Sequence, residues 1–173
     1  IEEMTKAIKP LLAQYNISNV AQLMNMPETQ RNKIVDAFVE EIKLKLNGVT
    51  PYNSNISNNV HGYTLFIDQI SQFPSLCVVA GDETREYQPD GFKWRYLGLE
   101  IRIYVSDETD PQEELALLLE DIERVIDNND ILTYDDTVSP NLKTTSSTIL
   151  TIATDEGVLA PLAVGEIAIQ VRY

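Results

Sequence analysis

The chain has 173 residues and 43% apolar content, enough for one core of ordinary size and too apolar for a disordered composition. Thirteen Lys and Arg against 27 Asp and Glu leave a formal charge of −14, with no cluster of bases, which argues against a surface built to grip nucleic-acid phosphates. The single cysteine, Cys77, excludes an internal disulfide and suits a reducing compartment, and no apolar run approaches the ~18 residues of a membrane-spanning helix.

Residues 1–26 carry two short helical patterns, Met4, Ile8, Leu11, Leu12 and Tyr15, then Val20, Leu23 and Met24, the first weakened by Pro10. They read as a small N-terminal helical extension to a domain of residues 27–173. The chain opens on Ile1 rather than Met, which leaves room for residues or a leader upstream. Pro27 and Glu28 then open a longer predicted helix, 28–47, with its apolar stripe at Ile34, Val35, Phe38, Val39, Ile42 and Leu46 and Gly48 placed to end it. Residues 49–60 are rich in Asn and Ser, lack periodicity and read as a surface loop.

The period then changes from 3.6 to 2. Tyr63 to Ile67 and Leu76 to Val79 are predicted short strands, followed by a turn signal at Gly81 and Asp82 and a polar hairpin reaching Pro89, Asp90 and Gly91. Along 94–105, Leu97, Leu99, Ile101, Ile103 and Val105 alternate with Trp94, Tyr96, Glu100, Arg102 and Tyr104. The first set is a core face. The second mixes aromatic with charged groups, the texture of a partner surface or of cross-strand pairing in a sheet.

Asp110, Pro111 and Glu113 form a strong helix start, with Asp110 as cap, Pro111 at the first helical position and Glu113 reaching back. Leu115, Leu118, Leu119, Ile122 and Ile126 make the buried stripe of the helix 111–127, while Leu117 falls on the far side among Glu113, Glu120, Asp121 and Arg124. Either it meets a partner or it is a tolerated exposure. Residues 146–153 and 162–173 read as two more strands around a turn at Asp155, Glu156 and Gly157. The closing strand is expected to pair edge to edge with a neighbour. Both long helices should pack on one face of a mainly antiparallel sheet, an α+β fold.

Residues 107–136 hold twelve of the acids and one base, so nearly all the negative charge sits in thirty residues. Chemistry of the usual kinds is absent. His61 is the only histidine and stands in a polar loop; Cys77 lies inside a strand pattern as a small hydrophobe; the glycines form no phosphate-cradling loop. Asp107, Glu108, Asp110, Glu113 and Glu114 lack the order of a calcium loop, so neither metal nor cofactor is expected. A carboxylate-based hydrolase, with Glu113, Glu120 and Glu123 as its testable acids, and an acidic adaptor that imitates DNA remain as rivals from other classes.

The order of pieces from Pro74 onward resembles the tail terminator (tail completion) proteins of long-tailed bacteriophages. Carrying the resemblance are Phe73-Pro74 leading into Cys77-Val78-Val79, Gly81-Asp82-Glu83 with Tyr87, the strand Leu99 to Val105, and Asp107 to Pro111 entering Leu115 to Ile126. Ile149 to Asp155, Gly157, Leu159-Ala160-Pro161 and the final strand close it. With helix 28–47 this covers about 145 residues. The resemblance implies a non-enzymatic virion protein, assembled in the host cytoplasm as a hexameric ring that caps the head-proximal end of the tail tube. Its partners would be the tube protein, a neck or head-completion protein, in contractile tails the sheath, and genomic DNA passing through the lumen without specific binding. A head-to-tail connector or stopper is the alternative within the same neck. On this reading Trp94, Tyr96, Leu117 and Tyr173 are contact candidates. Asp82, Glu83, Glu86, Asp107, Glu108, Asp110, Glu113, Glu120, Asp121 and Glu123 are candidates for an acidic lumen or rim that repels DNA, unless these acids serve only solubility.

Overall fold

The computed structural model describes residues 28–56 and 58–173; the helical extension expected over residues 1–26 lies outside them. In chain order the elements are helix α1 (Gln30–Lys45), strand β1 (Val60–His61), a short 3-10 turn at Ile67–Gln69, β2 (Ser75–Tyr87), β3 (Lys93–Ser106), α2 (Pro111–Asn128), β4 (Thr133–Asp135), β5 (Leu142–Lys143), β6 (Ser146–Thr154) and β7 (Leu162–Arg172). Five strands form one sheet in the order β1-β2-β3-β7-β6, antiparallel except for the β1–β2 pair, and β4 and β5 make a separate small ribbon. The fold is α+β, an antiparallel sheet with two helices.

α1 begins at Gln30, two residues later than its apolar pattern suggests, because the Thr29 hydroxyl accepts from the Asn32 N–H and caps it there. Gly48, at φ +79°, turns the chain just after the helix as expected, a conformation that costs a residue with a Cβ. α2 starts as read, with Pro111 first and the Asp110 carboxylate accepting from the Glu113 N–H at 3.1 Å. The return bond from Glu113 is not made. The Asp110 N–H donates instead to Asp107 Oδ1 at 2.8 Å, so the group Glu113 would have reached is already satisfied.

One apolar cluster joins Ile34, Phe38 and Ile42 of α1, Leu115, Leu118 and Ile122 of α2, and the alternating set Leu97, Leu99, Ile101, Ile103 and Val105 of β3, with Ile167, Ile169 and Val171 of β7. α2 lies so close on β7 that a Cβ added at Gly165 would stand 3.0 Å from a Leu115 methyl and 3.4 Å from one of Leu119.

Four sequence expectations fail on this architecture. Residues 63–66 are not a strand: they cross the outer side of the sheet, where Leu65 is buried against Cys77 and Tyr104 and its carbonyl accepts from the Tyr104 hydroxyl at 2.9 Å. Tyr104 is therefore buried rather than part of an open face. Gly81 and Asp82 are not a turn but a bulge, where the β2–β3 register shifts between Ala80 and Glu83 and the strand runs on to Tyr87. The closing strand β7 lies between β3 and β6 with both edges paired, so the free edge on that side is β6.

Candidate assembly surfaces

The β2–β3 hairpin brings together most of the aromatic candidates. Trp94 is half-buried, with the Arg172 guanidinium 4.4 Å above its ring and Phe92 edge-on at 4.7 Å. Tyr96 donates from its hydroxyl to Glu86 Oε2 at 3.2 Å on the same hairpin. Tyr87 and Phe92 stand exposed near its tip.

Glu83 and Tyr173 turn the other way, towards the interior. Glu83 accepts from Arg85 Nε at 2.8 Å, from Arg95 Nη2 at 3.2 Å and from the Tyr173 hydroxyl at 2.8 Å. Burial alone would raise its pKa, but these three donors outweigh burial and bring it down to about 2. Burial and the bond to Glu83 push the Tyr173 hydroxyl up to about 12, and its ring packs edge-on against Tyr134 at 6.0 Å with Arg95 4.6 Å from its centre. Tyr173 and Glu83 are thus tied down within the chain: the first is withdrawn as a contact candidate and the second as a rim acid. Trp94, Tyr96 and the acids Asp82 and Glu86 stay on the hairpin surface.

Leu117, on α2, is 48% exposed between two shallow hollows. Asn53, Ser54, Pro74 and Glu114 line one; Asp107, Asp110 and Glu113 line the other. Glu114 has its pKa raised by partial burial there, and by the charge of Asp107. Glu108, Asp110, Glu113 and Glu120 are exposed and Glu123 is half-buried; Asp107 holds the N–H groups of Asp110 and Thr109, which lower its pKa.

Asp121 is the clearest correction among the acids. It is 1% exposed, and its Oδ2 accepts from the Asn53 N–H, the Ser54 N–H and the Ser54 hydroxyl, each at 2.8 Å. The helix wheel placed it on a solvent face because it could not show that the loop after α1 folds back over α2 and buries Tyr52 and Ile56. Asp121 latches that loop and lines no surface. A second latch missed from the sequence is an ion pair that joins Lys33 Nζ to Asp135 Oδ2 at 2.6 Å, across 102 residues; that bond, with those from Thr137, holds the pKa of the Asp135 carboxyl at about 2. No local pattern signals such latches, because each joins residues far apart in the chain.

Among the described residues no group of three or more His, Cys, Asp or Glu is placed to hold a metal ion, and no helix is long and apolar enough to cross a membrane. Cys77 is buried, and burial raises the pKa of its thiol. The described surface presents an aromatic hairpin, an exposed leucine on α2 and many acids. Against known families, residues 28–173 match the model described as Bacteriophage Tail Tube Terminator Protein. The chain belongs to that family. It is 40% identical over 151 residues to the tail tube terminator protein p142 of Escherichia phage T5, covering 83% of this chain and 92% of that one. It also aligns with a chain from the virion of a native gene transfer agent particle at a TM-score of 0.49 and 7% identity, over 80% of this chain and 96% of the other, a likeness too slight to carry an argument. As a tail tube terminator it is a structural protein of the phage virion that caps the tail tube.

Proposed function

We propose that six copies of this terminator form a ring on the head-proximal end of the tail tube, stop its growth and provide the joint to a neck or head-completion protein. The observation that carries the reading is the family match over residues 28–173, every described element of the fold included. Both helices pack on one side of the sheet and form a rigid inner layer, leaving Trp94, Tyr96 and Leu117 as contacts to the tube, the neck or, in a contractile tail, the sheath. The ring assembles in the host cytoplasm, has no catalytic centre, and lets genomic DNA pass. One of the two exposed acidic groups, Asp82 with Glu86 on the hairpin or Glu108, Asp110, Glu113 and Glu120 with Asp107 and Glu123 at α2, rims the lumen and keeps phosphates from adhering, since walls of one sign focus a repulsive field in a narrow channel.

Termination is tested by assembling tails with and without the chain. Its omission should give tubes of uncontrolled length or tails that do not join heads, and its addition should restore normal length. Tails of normal length that fail only at head joining would move the chain to a connector or stopper. For the rim, replacing four lumen-facing acids by Lys should slow DNA ejection at low salt and be relieved by added salt; unchanged ejection at low salt would refute that part.

A further inference from the structure

Copies of a chain with charge −14 repel one another, and surfaces that lack acids offer the least repulsion where copies meet in a ring. Although 23% of the whole chain is charged, about one residue in four, four stretches of eleven or more residues carry no charge: 10–27, 46–67, 69–81 and 144–154. The first lies outside the described residues, and the third is largely the buried half of β2, which leaves 46–67 and 144–154 as described surface. In the fold these two stretches supply the two opposite edges of the sheet: β1 at one side, with the loop that follows it, and β6 at the other.

The β6 edge is unusual in its own right. Free edges are commonly guarded by Lys, Pro or inward charges, yet Ser146–Thr154 has none of these over nine residues and only one irregularity, between Ile149 and Thr151. Leu150 and Ile152 are exposed along it, and Val158, in the turn that follows, is 82% exposed. Beyond β1, Tyr63, Phe66 and Ile67 are exposed on the loop that leaves this edge and crosses the outer side of the sheet. The two patches differ in shape and sequence. A two-fold contact would cover one of them twice and leave the other in water, whereas a head-to-tail contact covers both in every copy and closes when the rotation allows.

We propose that the β6 edge of one copy, with Leu150, Ile152 and Val158, docks against the β1 edge of the next, with Tyr63, Phe66 and Ile67, and that this contact builds the ring. The inference rests on the ring reading and names its lateral surface. It leaves the hairpin and Leu117 free for other components of the tail.

The test uses single cysteines at two exposed positions, Thr64→Cys and Thr151→Cys, in full-length protein within assembled tails, with a short bis-maleimide. Cys77 is buried, and the unaltered protein measures any background from it. Each variant alone should give no cross-link, a mixture of the two should give dimers, and the double variant should give a ladder ending at the closed ring. Dimers from Thr151→Cys alone would mean two-fold pairing of β6 and overturn the proposal. So would cross-links from Thr151→Cys to the tube protein. A ring visible by electron microscopy with no cross-link in the mixture would overturn this surface while leaving the ring intact; tails with no ring would overturn both.

Discussion

The two sides of the sheet show how differently the same strand behaves under helices and under solvent. On the inner side Leu97, Leu99, Ile101, Ile103 and Val105 meet α1 and α2 in one apolar cluster. On the outer side Arg102 lies between Glu100 and Glu166 at 2.6 and 3.2 Å, all three partly exposed, and only the stretch under residues 63–73 is closed over. Burial of apolar area stabilises the first side; the second carries charge pairs that water screens.

The largest expected effect comes from moving the character of one side to the other. Ile101→Asp puts a charge at a fully buried position with no donor to receive it, and should cost ~4 kcal/mol or more, lowering the melting temperature by ~10 °C or beyond. A near-native melting temperature would mean that the faces are assigned backwards. Asp121→Ala leaves three donors of the loop after α1 without their acceptor and should cost about 2–3 kcal/mol in urea unfolding, while opening exchange at the Asn53 and Ser54 amides. Gly165→Val overfills the contact between β7 and α2 and should cost about 1–3 kcal/mol, and a Leu115→Ala change made with it should recover part of that loss.

A smaller effect is expected from pH. Because the folded-state pKa of Glu83 lies near 2, below its ordinary value of 4.5, its stabilisation is fully present above about pH 5 and is lost as pH falls towards 2. Melting temperatures of wild type and Glu83→Gln should therefore converge on acidification across that window; a constant gap would assign the loss to packing alone. Least of all, Arg102→Ala on the outer side should change stability by no more than about 1 kcal/mol, less at high salt.

What was legible in the sequence was periodic or capped. The stripes of α1 and α2, the Asp110–Pro111 start and the alternation of β3 and β7 each repeat a local rule, and the structure follows them. What was not legible depended on residues far apart. Leu65 lies in an apolar run like that of a strand, yet it is buried by its contact with Tyr104, 39 residues on. Gly81 serves a bulge as readily as a turn, and only the partner strand decides between them. Asp121 reads as solvent-facing until the loop carrying Asn53 and Ser54 covers it. Of the candidate site residues, Trp94, Tyr96 and Leu117 keep exposed surface, while Tyr173 and Glu83 are drawn inward by each other and by Arg95.

The claim on which the rest depends is that this terminator sits as a ring between tube and neck, and electron cryomicroscopy of the head-proximal end of assembled tails tests it most directly. The account predicts six copies of the 28–173 fold at one level on the last tube layer, with the sheet edges β6 and β1 of adjacent copies facing each other. Copies placed away from the tube end, or arranged with five-fold or two-fold symmetry, would contradict it.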